Sequence, residues 1–136
     1  MARPYIGGSN AAIKAVSADT TLQVADSGKT IVIDGSSALN LTMTLPATAT
    51  SKGVELDFTL GAASNAATQI LITSDTNIVG AWSLWSTGAE TAVPSGASRG
   101  FGDASKIGSY MSLICDGSQW LIKRASSDVA FIASIA

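Results

Sequence analysis

Glu55 and Asp57 are the nearest approach to a catalytic pair in this sequence. In an extended segment, residues two apart share one face. Two carboxylates on one face are what acid–base cleavage of a glycosidic bond requires. The plainer reading is the wet face of an amphipathic strand, because Val54, Leu56, Phe58 and Leu60 alternate with them. Ser27-Gly28-Lys29-Thr30 ends like a phosphate-binding loop. The full pattern needs a glycine five residues before Gly28, where Gln23 stands, and a helix after it, where Ile31-Val32-Ile33 follows. Nucleotide binding is therefore rejected.

The sequence contains no histidine. That removes Ser-His-Asp and Cys-His nucleophiles, histidine metal sites and the commonest acid–base side chain. Cys115 is the single cysteine and lies in the apolar run Met111-Ser112-Leu113-Ile114, so it reads as a small buried hydrophobe. One thiol makes neither an internal disulfide nor a zinc cluster. Asp26, Asp34, Asp75, Asp103 and Asp116 sit beside Gly, Ser or Thr, where aspartate side chains bond turn backbone. The expectation is a protein that is not an enzyme, with no cofactor and no metal.

Trp82 and Trp85 give the best hint of a small ligand, since a flat ring stacks on the apolar face of a sugar. The competing reading is a core or subunit-contact pair, because aromatics are enriched at interface cores. They lie in Ala81–Gly108, a stretch with Pro94, Phe101 and many Gly, Ser and Ala, which reads as a long loop or a hairpin with an extended tip.

The elements that must hold these residues have a period of two. Leu39, Leu41, Met43 and Leu45 alternate with polar residues before Pro46, as do Val54 to Leu60. Both runs predict half-buried antiparallel strands with Leu41, Met43, Leu56 and Phe58 inside. Thr30–Ile33 and Gln69–Thr73 read as more fully buried strands. Asp116-Gly117, between Tyr110–Cys115 and Gln119–Lys123, marks a tight hairpin with Trp120 in the core. Turn signals recur roughly every 8–12 residues, a spacing that suggests a sandwich or barrel. The predicted fold is all-β, an antiparallel sandwich or barrel-like, jelly-roll-like single domain. Residues 1–18 form an irregular arm, 19–124 the β domain, and 125–136 an apolar tail or final strand.

The 136 residues hold 46% hydrophobic but only 13% charged side chains, against roughly 25% in ordinary chains. A monomer needs surface charge to stay apart from its neighbours, so much of this surface is expected to meet partners. The net charge of -2 leaves no basic stripe for a phosphate backbone, and nucleic-acid binding is disfavoured. No apolar run approaches the ~20 residues that cross a membrane, and the start lacks the apolar core of a signal peptide. A protein made in a host cytoplasm is expected.

Four stretches occur in a familiar order: Ser27–Asp34, Leu41–Pro46, Lys52–Phe58 and Cys115–Trp120. Together they resemble small bacteriophage structural proteins, most of all head decoration (cement) proteins, with related modules in tail fibres and spikes. The resemblance covers about residues 20 to 124 and brings no catalytic residues. It implies a β domain that trimerises on the outer capsid surface of a virion, with the major capsid protein as partner. A receptor- or glycan-binding module of a fibre or spike is the alternative. The residues expected at contacts are Tyr5 and Ile6 of the arm, Trp82, Trp85 and Phe101 of the loop region, and Phe131, Ile132 and Ile135 of the tail.

Overall fold

The computed structural model describes residues 12–36, 39–64, 68–85, 87–93 and 96–132. Eleven strands are defined among these residues: β1 (Ile13–Val16), β2 (Thr20–Thr21), β3 (Thr30–Asp34), β4 (Leu41–Thr44), β5 (Glu55–Ala62), β6 (Ile70–Thr73), β7 (Ile78–Leu84), β8 (Glu90–Val93), β9 (Ser98–Phe101), β10 (Tyr110–Cys115) and β11 (Trp120–Ser127). They form a seven-stranded sheet in the order β1-β3-β5-β10-β11-β7-β8 and a four-stranded sheet in the order β2-β4-β6-β9. The protein is an all-β single domain.

The expectation of antiparallel sheets is corrected, because both are mixed. Successive strands from β1 to β6 alternate between the sheets, so the chain winds around one core. Each return brings a strand back beside its predecessor in the same direction. Parallel pairs therefore join β1 to β3, β3 to β5, β2 to β4 and β4 to β6. The later strands add antiparallel pairs, β10 with β5 and β11, β6 with β9, and β7 with β8, and one more parallel pair, β7 with β11.

Registers carry the apolar residues into one interior. Ile31 pairs with Phe58 and Phe58 with Met111, while Leu56 pairs with Leu113. In the smaller sheet Leu41 pairs with Ile70 and Ile70 with Phe101. Leu41, Met43, Leu56 and Phe58 are all buried, as are Cys115 and Trp120. Each such side chain contributes about 1.5–3 kcal/mol of transfer free energy. Leu39 is the exception in its run: it precedes β4 and is 73% exposed.

The β10–β11 hairpin turns where Asp116-Gly117 predicts, but through four residues, since Cys115 pairs with Trp120. Gly117 takes φ 96°, and the Asp116 carboxylate accepts hydrogen bonds from the amides of Ser118 and Gln119 at 2.7 and 2.8 Å. Ala81–Gly108 is the β7–β8 hairpin followed by β9. At its end the strands meet closely: a Cβ on Gly100 would lie 1.9 Å from the Ile70 carbonyl oxygen.

Ile13–Val16, within the segment expected as the arm, is a strand of the larger sheet, and Ala125 to Ser127, within the segment expected as a tail or final strand, completes β11. Beyond it the chain folds back on its own domain: Ile132 and Gly100 exchange backbone hydrogen bonds of 2.8 and 2.9 Å.

Candidate functional site

Among the described residues, no three His, Cys, Asp or Glu side chains gather as a metal site would require. Glu55 and Asp57 do share the outer face of β5, yet Glu55 is held by Lys123 at 3.2 Å in an exposed pair. Lys29 is likewise engaged: its ammonium lies 3.0 Å from Asp26, and β3 follows it instead of a helix.

Asp26 is the electrostatic knot of the chain. It is buried, and accepts from Lys14 and Lys29 at 3.0 Å each and from the Gln23 amide at 2.9 Å. Burial pushes its carboxyl upward, but the Gln23 amide and the two ammoniums outweigh that and lower it to about 2. The other turn aspartates do smaller versions of the same work. Asp34 is lowered by Ser36, Asp75 by Thr48, and Asp116 by the Ser118 and Gln119 amides.

The contact residues inferred from sequence scatter. Tyr5, Ile6 and Ile135 lie outside the described residues. Phe101 is corrected: it is fully buried and packs on Phe131, with ring centroids 5.3 Å apart, so it faces no partner. Trp82 is half-buried against the core. Phe131 and Ile132 are half-buried on their own chain. Trp85 remains 45% exposed. Phe131 occupies the flank of Trp82, so Trp82 and Trp85 do not present a shared open platform.

Two surfaces missed by sequence reasoning emerge instead. One is a depression of about 380 Å³ on the outer face of the seven-stranded sheet, lined by Asp57, Thr59, Tyr110, Ser112 and Arg124. Neither Asp57 nor Arg124 enters an ion pair among the described residues. This dish presents a carboxylate, a guanidinium, hydroxyls and a ring edge to one spot, a donor–acceptor set suited to a hydroxyl-rich ligand.

The other surface is the end where the winding begins. Among the described residues β1 and β2 are the outermost strands of their sheets, and only Ser17, Ala18 and Asp19 join them, so two edges with no partner among those residues lie close together. Beside them stand Ile13, 59% exposed, and Leu39. Grooves flank the joining turn: one of about 380 Å³ touches Ala15, Val32 and Gly61, and another of about 340 Å³ touches Ala18, Leu39 and Asn40. The far edge of the smaller sheet differs, since Ile132 caps β9 at Gly100. No sequence signal marks this end, because strand order alone decides which edge stays open.

Arg99 on β9 was also not singled out. It is buried, and its guanidinium donates to the Ser98 carbonyl. Burial lowers its pKa. Among the described residues no carboxylate pairs with it, and its Nε and the Trp120 Nε1 have no hydrogen-bond partner.

No protein-family model, no curated protein and no solved structure matches this chain.

Proposed function

We propose that this chain is a structural protein of a bacteriophage virion, a decoration subunit that lies on the outer capsid surface and cements the major capsid protein. The observation that carries the reading is the open end of the two-sheet winding. Strand edges unpaired among the described residues, with exposed Ile13 and Leu39 beside them, are a liability in a free monomer and an asset in a subunit that docks. The low charge supports the same reading, because a neutral surface loses little on being covered. Many copies, each weakly held, would add up on a shell. The test is add-back: capsids lacking the protein are mixed with purified chain, pelleted and challenged by heat or osmotic shock. Saturable binding with raised capsid survival supports cementing, and failure to bind refutes it.

One observation favours the fibre or spike alternative, namely the dish around Asp57, Tyr110 and Arg124. On that reading Arg124→Ala would abolish binding to host polysaccharide and leave assembly intact.

A further inference from the structure

We propose that β1 is a self-pairing edge, on which a second copy of this chain adds its own β1 antiparallel about a two-fold axis. This takes up the β1 half of the open end, leaves β2 and Leu39 for docking on a shell, and is tested without capsids.

The backbone sets the geometry. The Ala12 carbonyl accepts from the Thr30 amide at 2.7 Å. Successive residues of a strand direct their amides to opposite sides. Residues 12, 14 and 16 therefore face β3, and the N–H and C=O groups of Ile13 and Ala15 point out of the sheet edge. β1 pairs only with β3 among the described residues, and its register runs unbroken from Ile13 to Val16.

Among the described residues, the devices that normally guard such an edge are absent. A bulge or a proline would block pairing, and β1 has neither. A lysine would repel a neighbour, but the Lys14 ammonium is drawn to Asp26 at 3.0 Å. The opposite edge of the smaller sheet shows how this chain closes an edge when it needs to, with Ile132 on Gly100.

What makes the occupant a second copy is that one strand carries both a knob and its hole. Ile13 and Ala15 point to the same outer face, and Ile13 is 59% exposed. Two residues on, the groove of about 380 Å³ begins at Ala15 and continues over Ser17, Val32, Asp34 and Gly61. It stays open because Gly61 has no side chain where a Cβ would meet Val32 at 2.4 Å. A two-fold through Ala15 sets Ile13 of each copy opposite Ser17 of the other, over that groove. Each copy then gives and receives the same contact, as an isologous interface requires. The same register keeps the two Lys14 side chains from facing each other, and it joins the two seven-stranded sheets into one.

The test uses the full chain in sedimentation equilibrium over a range of concentrations. The wild type should approach twice 13.7 kDa at the upper end. Ala15→Pro removes an amide that faces away from β3 and should give a folded monomer, since proline is accepted where the N–H side of an edge strand faces solvent. Ile13→Lys is the second variant. It sits on an exposed position, alters no backbone, and should also give a monomer, which keeps the test decisive if Ala15→Pro misfolds by circular dichroism. Ala15→Cys should be joined to its counterpart by a short thiol-bridging reagent, while wild type, with Cys115 buried, should not be. A wild type that stays monomeric throughout overturns the proposal. So does any oligomer, a trimer included, that both Ala15→Pro and Ile13→Lys leave unchanged.

Discussion

The ring of Phe131 meets Trp82 edge-on, with centroids 5.5 Å apart and planes at 74°. Phe131 also touches buried Phe101, so one side chain beyond the last strand ties together β7, β9 and the chain's own end. Edge-to-face pairs add about 0.5–1.5 kcal/mol beyond the area they bury. Phe131→Ala should therefore cost about 2 kcal/mol, less than a fully buried phenylalanine. Removing residues 129–136 should cost more, because the Ile132 pairing with Gly100 is lost as well. Urea unfolding followed by tryptophan fluorescence measures both. Unchanged midpoints would mean that this segment belongs to another surface.

Asp26 predicts a pH dependence. Its carboxyl is lowered from 3.8 to about 2, so the folded state holds this proton less tightly than the unfolded chain. The stabilisation it supplies is fully present above about pH 4 and is lost as pH falls through about 2. The size is roughly 2 kcal/mol. Asp26→Asn should lower stability at pH 6 by about that amount, since the shift already contains the interactions with Lys14 and Lys29. The gap between variant and wild type should narrow towards pH 2. A gap independent of pH would show that the ion pairs contribute nothing.

Two glycines separate space from backbone strain. A methyl on Gly100 would strike the Ile70 carbonyl, so Gly100→Ala should cost more than about 3 kcal/mol or prevent folding. Gly28 has open space around it but φ +81°, so Gly28→Ala should cost only about 1 kcal/mol of backbone strain. Thermal melts of the two variants give the comparison, and equal losses would contradict the close approach of β6 and β9.

The burial of Leu41, Met43, Leu56, Phe58, Cys115 and Trp120 was legible because alternation reports which face of a strand is wet. Alternation does not report which strand lies alongside, or in which direction, and so the parallel pairs β1–β3 and β4–β6 were not foreseen. Ile13–Val16 is four residues long and carries too little pattern to stand out from the arm before it. Phe101 looked like a loop aromatic because its neighbours are glycines. Gly100 lets β9 approach β6 closely, and Gly102 lies against Ala130 and Ile132. The dish around Arg124 unites residues from β5, β10 and β11, a neighbourhood that only the register creates.

The most direct test of the virion reading is whether this chain occurs in purified phage particles, and in how many copies, by quantitative mass spectrometry against the major capsid protein. A decoration subunit predicts hundreds of copies per particle. A few to tens of copies would place the chain in a fibre or spike, and its absence from particles would contradict a structural role in the virion altogether.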